Sequence, residues 1–89
     1  MVRSKLTDAE LISLYVDASP AVGGAAEARL RRSWVPVWAL IGQIPVAGNN
    51  AEALADAYDI PVEEAEAALA YYRSHRDVID ARLEANRVA

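Results

Sequence analysis

The sequence contains no cysteine, so the chain can form neither a disulfide bond nor a thiolate metal site. Its one histidine, His75, cannot hold a metal ion alone, because such a site needs further ligands at suitable spacing. No apolar run reaches the length of a membrane span, and the N-terminus lacks the apolar stretch of a signal peptide. We therefore expect a cytoplasmic protein with no cofactor, no metal ion and no membrane contact.

The sequence also lacks an organised nucleophile. His75 stands between Ser74 and Arg76 in a helical pattern, where most histidines are simply solvated. The carboxylates are spread along polar helix positions instead of being grouped in a motif. The sequence therefore predicts that the protein is not an enzyme.

Length and composition indicate one domain with a small core. Its 89 residues are 54% apolar, but alanine supplies much of this fraction, so few large side chains remain for packing. A small core favours association with a second copy or with another protein. The formal net charge of −4 argues against strong non-specific binding to nucleic acid, which depends on neutralising phosphates.

The clearest helical pattern begins at Val62 and ends at Asn86. Pro61 suits the start of a helix, and apolar residues then recur at alternating steps of three and four. This spacing predicts one long helix with a single apolar stripe of the kind found in helix bundles and coiled coils. The larger members of the stripe are the candidate partner or dimer interface: Val62, Leu69, Tyr72, Arg76, Ile79 and Leu83.

The N-terminal part is expected to hold a short helix and a partly extended connector. Residues 1–5 should fray, and a capping box at Thr7–Glu10 predicts a helix that runs to about Val16. Pro20 and the following glycine pair end that helix in a turn. Alternation of polar and apolar residues then predicts extended segments at 28–30 and 34–35.

Arg29, Arg31 and Arg32 form the one dense basic cluster of this acidic chain. They are either paired with Glu27 and neighbouring acids or available to a phosphate or an acidic partner. These three arginines are the candidate nucleic-acid-binding residues. Trp34 beside them can stack on a base or a peptide, although packing in the core is the preferred interpretation.

The whole pattern predicts a mainly α fold. Residues 1–35 form the N-terminal helix and connector, and residues 36–89 form three helices within the same domain, at 37–44, 51–58 and 62–86. A tight turn between the last two helices is typical of a helix-turn-helix. The predicted fold is thus a small trihelical, homeodomain-like core with a long C-terminal helix.

The start of the last helix is chemically unsuited to reading DNA. In a helix-turn-helix this part enters the major groove, yet here it carries Glu63, Glu64 and Glu66. No side chain that reads a base edge follows before Arg73. Any DNA contact is therefore expected from the arginine cluster and not from this helix.

Two stretches of the sequence, AEARLRRSWVPVWALIG and ADAYDIPVEEAEAALAYYRSHRDVIDARLEAN, resemble the domain-of-unknown-function 433 family. In the family's Arg-Gly-Thr-Arg-Ile-Pro-Val turn, Arg31, Pro36 and Val37 match, whereas the glycine, the threonine and the second arginine do not. The resemblance implies a helix-turn-helix, homeodomain-like fold without catalytic residues. Family members often stand beside a gene for a PIN-like nuclease and are proposed as antitoxins of toxin–antitoxin pairs.

The leading hypothesis is an antitoxin-like protein that binds and restrains a partner, a PIN-like nuclease toxin. An acidic surface suits this role, because it can compete for the basic groove of a nuclease. One alternative is a helix-turn-helix transcriptional regulator that binds DNA. A second alternative is a homodimeric structural domain whose helical stripe forms the interface.

Overall fold

A computed structural model describes residues 6–88 of the chain, so the expected fraying of residues 1–5 lies outside the described part. The fold is mainly helical, as predicted, with one small sheet. Its α-helices and strands in chain order are α1 (Asp8–Tyr15), β1 (Val16–Asp17), β2 (Arg29–Leu30), α2 (Val37–Ile41), α3 (Ile44–Ala47), α4 (Ala51–Tyr58), α5 (Val62–Ser74) and α6 (Arg76–Val88). No helix within residues 6–88 is both long enough and apolar enough to cross a bilayer.

The predicted capping box begins α1. The Glu10 N–H donates to Thr7 Oγ1 at 3.2 Å, and the Thr7 N–H donates to Glu10 Oε1 at 2.9 Å. Two N–H groups that the first helical turn cannot pair are satisfied in this way. The helix ends at Tyr15, because Val16 is extended and begins β1.

The connector folds back on α1 as a two-stranded antiparallel sheet. Val16 pairs with Leu30, and the extended segment predicted at 28–30 is confirmed by β2. The second extended segment, predicted at 34–35, is wrong at Trp34, whose φ of 65° is left-handed. The reason is a tight turn, which the Trp34 N–H closes by donating to the Leu30 carbonyl oxygen at 2.8 Å.

The helix predicted at 37–44 is shorter than expected. It ends at Ile41, and after a two-residue turn the short helix α3 begins at Ile44. Pro45 lies in the first turn of α3. A proline is tolerated there because the N–H of that position has no partner within the helix.

Helix α4 and the turn after it follow the prediction. The Asn50 side chain caps the helix by accepting a hydrogen bond from the Ala53 N–H at 2.7 Å. Asp59 adopts a left-handed φ of 54° at the C-terminus, and the Ile60 N–H donates back to the Ala55 carbonyl oxygen at 3.0 Å. These contacts reverse the chain within three residues before α5 begins.

Replacing Asn50 by alanine should lower the free energy of unfolding by about 1 kcal/mol, because the cap would be lost. The matched control is Asn49→Ala, since the neighbouring Asn49 is also exposed and does not cap α4. Chemical denaturation of both variants measures the difference. Equal stabilities for the two variants would argue against the cap.

Helix α5 is the centre of the domain, with α1, α2 and α4 packed around it. Its buried residues lie on most of its circumference: Glu64, Ala65, Ala67, Ala68, Ala70 and Tyr71. The four alanines allow neighbouring helices to approach closely. The large side chains that complete the core come mainly from other elements, among them Leu30, Leu40, Leu54 and Ile79, each 0% exposed.

The single long helix predicted from Val62 to Asn86 is wrong, because the chain is interrupted at His75. This residue has φ −132° and ψ 37°, and its N–H is shared between the carbonyl oxygens of Tyr71 and Tyr72. Its ring stacks on the Tyr71 ring, with centroids 4.0 Å apart and planes inclined by 8°. Beyond the break, α6 packs on α2 and on the connector at Ala25–Glu27.

Candidate interaction surfaces

A buried carboxylate holds the loop that carries the predicted arginine cluster. We call residues 29–34 the arginine turn. Glu64 is 0% exposed, and its Oε2 accepts a hydrogen bond from the Arg32 N–H at 2.7 Å. The Ser33 N–H lies 3.3 Å from Oε1 and 3.4 Å from Oε2 of the same carboxylate. The backbone of the turn is thereby fixed to α5, and Glu64 is not available to face a ligand.

Two of the three clustered arginines have guanidinium groups that no residue among 6–88 occupies. Arg31 and Arg32 are exposed, and their side chains form no hydrogen bond or ion pair with any residue in the described range 6–88. Pairing of the cluster with Glu27 is not observed, because that carboxylate accepts from Arg82 Nε at 2.6 Å. As far as residues 6–88 are concerned, both guanidinium groups are thus available to an anion.

Arg31 nevertheless affects a nearby acid. The pKa of Asp17 lies below its ordinary value, mainly because the Ser19 N–H donates to its carboxylate at 2.9 Å. The positive charge of Arg31 makes a smaller contribution in the same direction. Arg31 is therefore near enough to Asp17 for a Coulomb interaction, although the two side chains form no ion pair within residues 6–88.

Arg29 has a different role from its two neighbours. Its Nη1 donates to the carbonyl oxygen of Trp34 at 2.8 Å, and its guanidinium carbon lies 5.6 Å from the centroid of the Trp34 ring. This distance is within the range of a cation–π contact. Trp34 itself is 49% exposed, so the preferred interpretation of it as a core residue is not supported.

A second surface is an open cleft of about 770 Å³ between α2–α3 and α6, which we call the α2–α6 groove. Its lining is largely apolar and aromatic, and it includes Trp38, Ile41, Ile44, Tyr58, Tyr72 and Leu83. Arg76 and Arg87 also line this groove. Aromatic residues and arginine are the types that contribute most to binding energy at protein interfaces.

Arginines stack on two aromatic rings of the groove. The Arg82 guanidinium lies 4.1 Å from the Trp38 centroid, and the Arg76 guanidinium lies 4.7 Å from the Tyr72 centroid. Tyr72 also donates its hydroxyl hydrogen to Asp80 Oδ1 at 2.7 Å. These contacts hold the rings in fixed orientations before any partner binds.

The stripe predicted as an interface is divided by the break at His75. Ile79 is 0% exposed in the core of the monomer, whereas Tyr72, Arg76 and Leu83 line the α2–α6 groove. Leu69 lies in a separate small cleft on the side of α5 that faces α1, and Val62 packs partly buried against the core. A role of these residues in an interface stays a prediction.

A third surface is acidic. Four exposed carboxylates lie on α4, in the turn after it and at the start of α5: Glu52, Asp56, Asp59 and Glu63. No lysine or arginine occurs in the sequence between Arg32 and Arg73. The segment that forms this face therefore contributes no cationic side chain to it. The exposed charged side chains that residues 33–72 contribute are therefore all acidic.

The hydrogen bond between Tyr72 and Asp80 should be visible in a titration. It raises the pKa of Tyr72 above the ordinary value, and partial burial adds to the effect. A raised pKa means that the folded state favours the neutral phenol, so this contribution to stability is present below pH ~10 and is lost as the pH rises further. In Asp80→Asn we expect the pKa of Tyr72 to fall toward its ordinary value.

NMR of the tyrosine ring carbons as a function of pH measures this shift, with Tyr72→Phe identifying the signal. The control is Asp77→Asn, which removes an exposed carboxylate from the same helix without touching Tyr72. An identical Tyr72 titration in both asparagine variants would contradict the contact.

No protein-family model, curated protein or solved structure matches this chain. Among residues 6–88, no three histidine or acidic side chains are grouped to hold a metal ion.

Proposed function

We propose that this protein is a small antitoxin-like protein that binds and restrains a partner, a PIN-like nuclease toxin. The observation that carries the proposal is the α2–α6 groove, which offers fixed aromatic rings and arginines at an open apolar surface. The resemblance to the domain-of-unknown-function 433 family supplies the class of partner.

The groove has the composition of a protein-binding site. Trp38, Tyr58 and Tyr72 are large, amphipathic side chains that lose little conformational entropy when they become buried. The rings of Trp38 and Tyr72 are already oriented by stacked arginines, which reduces the cost of ordering them on association. An apolar segment of the partner is therefore the expected occupant of the groove.

The acidic surface supports the same function by a different mechanism. A nuclease has a positively charged surface for the phosphates of its substrate, and Asp56, Asp59 and Glu63 present negative charge in place of phosphates. The attraction should accelerate association more than it raises affinity, and it should weaken with salt.

We also propose that α4, the turn at 59–61 and α5 correspond to a helix-turn-helix. The alternative function as a DNA-binding regulator through α5 has less support, because α5 is enclosed by α1, α2 and α4. Its exposed residues near the start include Glu63, which would repel phosphates.

Co-expression with the product of the adjacent gene, followed by size-exclusion chromatography with light scattering, tests the proposal. We expect a complex of defined stoichiometry and relief of the growth arrest that the partner causes alone. Elution as a homo-oligomer, with no effect on the neighbouring product, would overturn the proposal and support the homodimer alternative.

Two variants on one helix locate the binding surface. Ile44→Asp places a charge in the groove, whereas Val46→Asp places the same charge at an 83% exposed position of α3 outside it. We expect loss of the complex only in the first variant. Because Ile44 also packs against the core, thermal unfolding should accompany the assay, and Arg76→Glu provides a second groove variant at an exposed residue.

A further inference from the structure

The arginine turn carries features that the proposed function does not use. Its exposed indole, Trp34, and its two exposed guanidinium groups, on Arg31 and Arg32, do not line the α2–α6 groove. They also lie outside the acidic surface. Their arrangement therefore needs a separate explanation.

The conformation of Trp34 is costly for the fold. A bulky residue with a φ of 65° is a rare outlier, and a half-exposed indole recovers little of this cost through burial. The turn is nevertheless held firmly, since the Trp34 N–H donates to the Leu30 carbonyl oxygen at 2.8 Å and the Leu30 N–H donates to the Val35 carbonyl oxygen at 2.9 Å. Such strain, maintained by surrounding contacts, is typical of a binding site.

The anchoring carboxylate determines which groups of the turn remain available. The N–H groups of Arg32 and Ser33 point to Glu64, so the backbone of this turn is already occupied by an internal anion. The guanidinium groups of Arg31 and Arg32 stay exposed to solvent. An external polyanion would therefore meet side-chain guanidinium groups next to an aromatic ring.

We propose that the arginine turn binds single-stranded nucleic acid. In this site the Trp34 indole stacks on an unpaired base, and Arg31 and Arg32 contact the flanking phosphates. Base stacking on an aromatic ring combined with phosphate contacts is the general mode of binding to single strands, and it tolerates any sequence. Arg29 maintains the orientation of the ring through its contacts with Trp34.

The stacking requirement favours a single strand over a duplex. In a duplex the base faces are covered by neighbouring base pairs, so Trp34 would have no flat surface to contact without unstacking a step. An acidic protein segment would engage Arg31 and Arg32, but it offers no base for the indole. Binding that requires both the indole and the arginines therefore distinguishes a nucleic acid from an acidic protein.

Fluorescence in a Trp38→Phe background tests the proposal, because Trp34 is then the only tryptophan of the chain. The probes are oligo(dT) and oligo(U) of about 10 nucleotides, and a duplex of the same length is the control ligand. We expect the single strands to quench Trp34 fluorescence saturably and the duplex to quench it little. The affinities for oligo(dT) and oligo(U) show whether DNA or RNA is preferred. Titration at about 50 and 200 mM salt gives the salt dependence.

Two sets of variants assign the roles of the residues, with binding followed by the anisotropy of a labelled oligomer. Trp34→Gly should weaken binding about 5- to 150-fold by removing the stack, and glycine accepts the positive φ, so the turn is preserved. Arg31→Ala combined with Arg32→Ala should reduce the salt slope by about 1.4. The charge-matched control is Arg76→Ala combined with Arg87→Ala, for which no change in the slope is expected.

Three results would overturn the proposal. They are the absence of saturable quenching at the lower salt concentration, equal affinity for the duplex, and an unchanged affinity in Trp34→Gly. Equal competition by polyglutamate would assign the turn to an acidic protein instead. Because the groove variant Arg76→Glu changes an exposed residue outside the arginine turn, its effect on the nuclease complex is independent of these results.

Discussion

Replacing Glu64 by alanine should lower the free energy of unfolding by about 3–5 kcal/mol. The substitution leaves the N–H groups of Arg32 and Ser33 without their acceptor, and it creates a cavity where a side chain was 0% exposed. Hydrogen bonds to a charged group are stronger than those between neutral groups, so the loss exceeds that of an ordinary turn contact. The arginine turn should separate from α5 before the rest of the domain unfolds.

Chemical denaturation measures the effect, and the adjacent Glu63 supplies the control. Glu63 is exposed, so Glu63→Ala should change the free energy of unfolding by less than about 0.5 kcal/mol. Glu64→Gln, which keeps the volume and one acceptor oxygen, should fall between the two alanine variants. If Glu64→Ala were as stable as Glu63→Ala, the buried carboxylate would not hold the turn.

The second large effect is expected at Ile79, whose buried side chain packs α6 against the rest of the domain. Ile79→Ala should lower the free energy of unfolding by about 2–4 kcal/mol, because the side chain is 0% exposed and its removal leaves a cavity. The neighbouring Val78 is 36% exposed, and Val78→Ala is expected to cost less than about 1 kcal/mol.

The concentration dependence of unfolding distinguishes two explanations for Ile79. If the residue is part of the monomer core, Ile79→Ala destabilises the protein equally at every protein concentration. If it were part of a dimer stripe on one continuous helix, as the sequence pattern suggested, the loss would appear as weaker association. Thermal unfolding over a range of concentrations, with light scattering, separates the two outcomes.

Local chemistry accounts for the parts of the fold that the sequence could predict. The capping box at Thr7 and Glu10 needs partners only three residues apart, and the turn near Asp59 is set by residues next to one another. The extended segment that became β2 followed from alternation along a few residues. In each case the relevant partners lie within one or two turns of the chain.

Contacts between residues far apart in the chain account for the parts of the fold that the sequence could not predict. Ser74, His75 and Arg76 include no glycine or proline, so nothing in the local pattern ends a helix there. The break lies four residues before Ile79, which is buried in the core against other elements of the fold.

The arginine turn is likewise determined by contacts that the local sequence does not reveal. Glu64 looks like an ordinary acid in the first turn of a helix, where the macrodipole favours negative charge. Its partners, Arg32 and Ser33, precede it by 32 and 31 residues. The arginine cluster was visible in the sequence, whereas the exposure of Trp34 depended on the turn that Glu64 fixes.

The long-range anchors of α1 and the connector impose an order on folding during synthesis. Ala25 accepts from the Tyr71 hydroxyl 46 residues later, Glu27 pairs with Arg82 55 residues later, and Asp8 pairs with Arg73 65 residues later. A ribosome that adds about 5–20 residues per second needs about 3–13 s to cover the longest of these intervals. Throughout that time these three long-range contacts cannot form, so the N-terminal third gains them only once α5 and α6 have left the exit tunnel.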